Sequence, residues 1–198
     1  MSCTLYMYAH AICSFQFETD NCLAGGLVEP YAYHIVNRWF DEFFIQAIEY
    51  ANQSRHTAMP YRHMVQPWLV ALFLDCENAG LLSWPGSGWA VEDTPLVHCP
   101  NKTVVAEVRA ALRRGDLFFH AAPLNVQASY FPDASLFDAS LDIAATLSTD
   151  LGLPTVPTAV SQRDVPGWTR ATVPLLARRG INGISFGAGT PPGENHLV

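Results

Sequence analysis

At 198 residues, 49% hydrophobic and 15% charged, the chain is long enough for one buried core and too apolar for a disordered polymer. Its formal net charge is −7 with only 11 Lys plus Arg, and no basic run interleaves with aromatics, so nucleic acid is excluded as an expected partner. No apolar stretch reaches membrane-spanning length, and no basic segment followed by a long apolar run opens the chain, so no membrane partner and a cytoplasmic location are expected.

Cys3 to Ala9 is a short apolar run with Thr4, Tyr6 and Tyr8, which reads as a strand. His10 to Pro30 is irregular. From Tyr31 the spacing becomes helical: Ile35, Trp39, Phe43 and Ala47, widened by Val36, Phe40, Phe44 and Ile48, form the core face of a long helix ending near Asn52. Tyr61 to Val65 reads as a brief strand, and Pro67 sits where a first helical turn tolerates proline. Residues 80–100 carry Pro85, Gly86, Gly88 and Pro95 and read as a loop or insertion.

The second half has clearer punctuation. Asn101 caps a predicted helix from Lys102 to Arg114, with Val104, Val105, Val108, Ala111 and Leu112 inward and Gly115 as its stop. Leu117 to Ala121 reads as a buried strand. Asp133 caps a helix whose Phe137, Leu141, Ala144 and Leu147 share a face, closed by Gly152 and Pro154. Thr155 to Gln162 is the next predicted strand. Thr169 to Arg179 follows as a helix with Val173, Leu176 and Ala177 on its inner side, and Ile184 to Phe186 as a last strand. Such alternation predicts a single α/β domain over residues 1–198, built of parallel strand–helix repeats with right-handed crossovers.

The five cysteines (Cys3, Cys13, Cys22, Cys76 and Cys99) are odd in number and contain no C-x-x-C pair, so they read as buried or free thiols of a reducing compartment. Asn52-Gln53-Ser54 and Asn101-Lys102-Thr103 match the glycosylation triplet, which matters only in a secreted protein. No G-x-G-x-x-G follows a strand and no Walker-type loop exists, so nothing points to a nucleotide enzyme.

Ligands of parallel α/β sheets gather at the carboxyl ends of the strands. That places interest on the loop after Ala9, the His120-to-Tyr130 loop, and the turn Arg163-Asp164-Val165-Pro166-Gly167-Trp168. Asp164 follows an apolar strand and precedes a Pro-Gly turn that opens a helix. Asp before Pro-Gly is ordinary turn chemistry, and Asp also caps helices. The wider run says more. Ser161-Gln162-Arg163-Asp164-Val165-Pro166-Gly167-Trp168-Thr169-Arg170, followed by Pro174-Leu175-Leu176-Ala177 and Ile184-Ser185-Phe186-Gly187, resembles the segment holding the catalytic aspartate of the glycoside hydrolase family 38 domain. It is closest to a divergent α-mannosidase-like branch whose motif reads Asp-Val-Pro-Gly-His-Thr-Arg. The specific part spans residues ~113–187.

The resemblance implies a strand–helix barrel of the glycoside hydrolase/deacetylase type, a zinc ion at the strand ends, and retaining hydrolysis of α-mannosides. Asp164 would be both nucleophile and metal ligand, with His10 as a second ligand; His120, Arg170 and, for its aromatic face, Trp168 are the candidates for substrate contact. A carboxylate beside a dication stays ionised, as a nucleophile must. The departures matter equally. Ile12 stands where the family has a ligand aspartate, Trp168 where it has histidine, and Gln127 and Ser129 where the branch has polar and acidic residues. Zinc needs three or four protein ligands, and His10 plus Asp164 are two.

A complete barrel takes ~250 residues, so an incomplete barrel with an open, self-associating sheet edge is expected. The expected activity is an α-mannosidase-like glycosidase with impaired turnover. The alternative is a catalytically inactive carbohydrate-binding or interaction module on the same scaffold, to which Trp168 would offer a stacking face. A metal-dependent carbohydrate deacetylase is a third reading, on fold analogy alone.

Overall fold

A computed structural model describes residues 36–77, 98–123, 128, 131–163 and 169–187. The chain divides into two compact units, the first Met1–Met64 with Leu69–Phe118, the second Val65–Trp68 with Phe119–Val198. The predicted strand at Cys3–Ala9, most of the predicted loop 80–100, and Cys3, Cys13 and Cys22 lie outside the described residues.

In the first unit, helix α1 comprises a π turn, Trp39–Phe43, continued by the α-helix Phe44–Ser54. Its stripe Val36, Trp39, Phe40, Phe44, Ala47, Ile48 and Ala51 is buried, as helical spacing predicts. Phe40 and Phe44 meet Phe73 edge-on or tilted at 5.0 and 4.8 Å between ring centroids, within the favourable range for aromatic pairs. Phe73 belongs to α2, Pro67–Leu74, which starts at the proline that the sequence marks. Helix α3, Lys102–Arg114, packs on α1 through Val108, Ala111 and Leu112. The Asn101 side chain accepts from the N–H groups of Thr103 and Val104, and Gly115 ends the helix at φ 76. A left-handed residue there suits glycine because it has no Cβ to clash. Strand β1, His63–Val65, pairs with β2, Leu117–Phe119.

Cys76, just past α2, and Cys99, just before α3, form a disulfide with Cα atoms 5.5 Å apart. This corrects the expectation of free thiols: two helix ends converge within bridging distance, although 23 residues separate them in sequence.

The second unit holds α4, Ala134–Ser140, α5, Asp142–Asp150, β3, Ala159–Arg163, α6, Val173–Arg178, and β4, Gly183–Gly187. The single helix expected after Asp133 is thus two, broken at Leu141. Arg179 bridges the break by binding Asp138 on α4 and Asp142 on α5. Strand β3 begins later than its apolar run because Pro154 and Pro157 have no N–H to donate to a ladder. A 3-10 turn, Arg170–Thr172, precedes α6 and rotates its inner face. Leu175 and Leu176 are buried, whereas Val173 and Ala177, both expected inward, are exposed.

Strands β3 and β4 run parallel in the register Ala159↔Gly183 to Arg163↔Gly187. Phe137, Leu141, Val160, Leu175, Leu176 and Ile181 form the core between this pair and its helices. The architecture is mixed helix and strand with a parallel β3–α6–β4 crossover, and among the described residues the strands do not close into a barrel.

Candidate functional site

The β3–α6–β4 crossover flanks residues 164–168 in sequence. Its strand β3 ends at Arg163, the residue covalently preceding Asp164. Asp164 and Trp168, together with His10 and Ile12, lie outside the described residues. Arg170 is described: it is exposed and opens the 3-10 turn ahead of α6. The N-cap of that turn is Thr169, with its side chain making no cap bond, so the helix-start position belongs to Thr169. The Thr169 carbonyl accepts from both the N–H and the hydroxyl of Thr172, which ties down the exit of the turn.

His120 immediately follows β2 and is only 4% exposed. In the second unit, the N–H of Ala121 donates to the Ala159 carbonyl at 2.8 Å. That bond sets the backbone beside His120 level with the start of β3. Arg163 lies four residues further on, about 13 Å along the strand. His120 is therefore buried just past the end of β2, and Arg170 stands on the surface. Sequence reasoning gave the two residues one role, yet their environments are opposite.

A buried polar residue that its sequence context does not single out also stands at a strand end. Gln66 is 3% exposed and directly follows β1, and the next peptide N–H but one, from Trp68, donates to the Pro123 carbonyl beyond β2. A lone polar residue between Val65 and Pro67 was the only signal available.

Electrostatics around the crossover come from Arg179 at the end of α6. Its guanidinium donates to both carboxylate oxygens of Asp138 at 3.0 and 2.9 Å, and also to Asp142. The bond from Arg179, and then its charge, hold the Asp138 carboxyl below the usual range, and the same bonds raise the Arg179 pKa further. The fork is a fixed strut, because its carboxylates are already matched to guanidinium geometry.

The first unit carries two further polar groups. Burial pushes the His63 imidazole down to about 4, so it is neutral, and its Nδ1 shares a hydrogen bond of 2.9 Å with the Tyr61 hydroxyl. Asp116 Oδ2 receives Arg114 Nε at 2.8 Å and Arg55 Nη2 at 2.9 Å. Burial raises the Asp116 pKa, but the two arginines outweigh it and the net shift is downward. A cleft of about 540 Å³ between α1 and α3 is lined by Glu49, Asn52, Arg55, Glu107 and Arg114. Its arginines are the ones engaged by Asp116.

Among the described residues no group of three His, Cys, Asp or Glu side chains is arranged to hold a metal, and no helix is long and apolar enough to cross a membrane. Comparison with protein-family models, with curated proteins and with solved structures gave no match.

Proposed function

We propose that the chain is a glycoside hydrolase-like domain of α-mannosidase type, on an incomplete strand–helix barrel, with impaired turnover. The observation that carries the reading is the parallel β3–α6–β4 crossover, whose first strand stops one residue short of Asp164. Ligands of parallel sheets collect at that end of a strand. In a retaining mechanism the Asp164 carboxylate attacks the anomeric carbon and displaces the leaving group. Water then hydrolyses the resulting ester and restores the carboxylate. Trp168 and Arg170 follow Asp164 closely in sequence and are the candidates to contact the sugar. His120, buried where the chain leaves β2, is the third candidate for contact with substrate.

The donor set does not fit a family-type zinc site. His10 and Asp164 are two donors, Ile12 is a hydrocarbon, and three protein ligands are the minimum. No step is therefore routed through a metal. That shortage, with Trp168 in place of histidine, supports impaired turnover. It also favours the second reading, a carbohydrate-binding module that has lost hydrolysis. For location, the Cys76–Cys99 bridge supports an oxidising compartment over the cytoplasm.

Slow turnover calls for a covalent readout. A fluorinated, mechanism-based α-mannosyl donor leaves a long-lived glycosyl ester on the nucleophile. Peptide mapping is expected to find that ester on Asp164 and to find none in Asp164→Asn. Saturable mannoside binding without any ester would assign the binding module instead. The absence of both would overturn the carbohydrate reading.

A further inference from the structure

We propose that Asn101 carries an N-linked glycan, added in the oxidising compartment where the Cys76–Cys99 bridge forms. The triplet Asn101-Lys102-Thr103 is by itself a weak signal, because such triplets arise by chance. Two independent structural observations strengthen it. The first is the bridge, whose Cys99 lies two residues before Asn101. Structural disulfides persist in compartments such as the endoplasmic reticulum lumen, which is also where glycosylation triplets are read.

The second is the geometry of the amide. Asn101 is exposed, and its Oδ1 accepts from the N–H groups of Thr103 and Val104, each at 3.0 Å. Only oxygen can accept from two N–H donors, so the amide is oriented with Nδ2 away from the helix end. Glycosylation consumes Nδ2 and leaves the carbonyl oxygen an acceptor. The helix cap and the glycan can therefore coexist on one side chain. Asn52, in the other triplet, offers a contrast: it lines the α1–α3 cleft beside Glu49 and Arg55 and accepts from Arg55 Nη2 at 2.7 Å. A glycan there would have to occupy the cleft. Asn101, among the described residues, is exposed, and its side-chain oxygen bonds only its own helix end.

The chemistry balances. Nδ2 attacks the anomeric carbon of a lipid-pyrophosphate-linked oligosaccharide. The N–C bond forms as the C–O bond to pyrophosphate breaks, Nδ2 loses one proton, and the lipid pyrophosphate departs. For the bridge, the thiols of Cys76 and Cys99 give up two protons and two electrons to the disulfide of a dithiol oxidoreductase, which leaves reduced.

The test uses the full chain isolated from its own cells, intact and as Thr103→Ala. That substitution destroys the triplet and leaves the Asn101 cap in place. Amidase release of N-glycans in 18O-water is expected to shift the mass of the wild-type chain and to convert Asn101 to labelled aspartate. Thr103→Ala is expected to show neither change and to melt almost as the wild type does. Unlabelled, unmodified Asn101 in the wild type would overturn the proposal. So would alkylation of both Cys76 and Cys99 without prior reduction. Neither outcome depends on whether Asp164 is a nucleophile.

Discussion

Arg55 at the end of α1 donates to Asp116 at the entry to β2, across 61 residues of sequence, with a distance of 2.9 Å. Arg114 donates to the same oxygen, so one carboxylate ties together three segments of the first unit. Hydrogen bonds to a charged group contribute about 1.5–3 kcal/mol, and the part-exposed arginines place this node toward the low end. Asp116→Asn is expected to cost about 1–2 kcal/mol at neutral pH, read as a lower urea midpoint with an unchanged slope. Because the folded pKa is depressed, this contribution is present above the unfolded carboxyl value and disappears as pH falls through the folded one. In Asp116→Asn, stability should depend less on pH below about 4.

His63 acts over a different pH window. Its folded pKa is about 4, below an unfolded value near 6.5, so the unfolded chain binds the extra proton. The stability associated with neutral His63 is whole above ~6.5, is lost as pH falls toward 4, and changes no further below that. The full loss amounts to roughly 3 kcal/mol, at ~1.4 kcal/mol per unit. Urea titrations between pH 7 and pH 4 should show this slope in the wild type and a flatter one in His63→Phe. An imidazole NMR signal for His63 titrating near 6.5 in the folded protein would contradict it.

Reduction tests the bridge. Closing a loop of 23 residues removes unfolded-state entropy equivalent to about 3 kcal/mol. Cys76→Ser with Cys99→Ser is expected to lower stability by that order. A reductant should destabilise the wild type and leave the double variant unchanged.

Among the described residues β4 has β3 as its sole sheet neighbour. Unpaired strand edges recruit other strands. Light scattering over a dilution series is expected to report masses above the 21.8 kDa of one chain, declining toward it on dilution. A constant monomer mass would rule out edge pairing.

The strut at the α4–α5 break can be tested by Arg179→Lys. Lysine keeps the charge but cannot bind Asp138 through two parallel N–H groups. A small drop in the melting temperature is expected for a pair at the surface, with thermal melting as the measurement.

Helix α3 was legible because its determinants are local: Asn101 and Gly115 stand within the element they delimit. The break at Leu141 was not, since the arginine that spans it lies 37 and 41 residues from its two partners. The inner face of α6 was misread because a 3-10 turn shifts the phase of the helix after it, and no residue type announces such a turn. For the site, the strand before Asp164 could be read from its apolar run. The burial of His120 could not, because the segment beside it bonds a residue distant in sequence, as Ala121 does Ala159. The cysteine pairing was equally hidden: spacing says nothing about which helix ends converge.

The Cys76–Cys99 bridge also has a topological consequence. Any single backbone cut between Glu77 and His98 leaves both fragments joined through sulfur. A chain nicked there would migrate at full mass on a non-reducing gel and separate into two pieces only after reduction. Either product could thus persist within a folded molecule after proteolysis, and continuity of the main chain through that stretch is not required to keep α2 and α3 together.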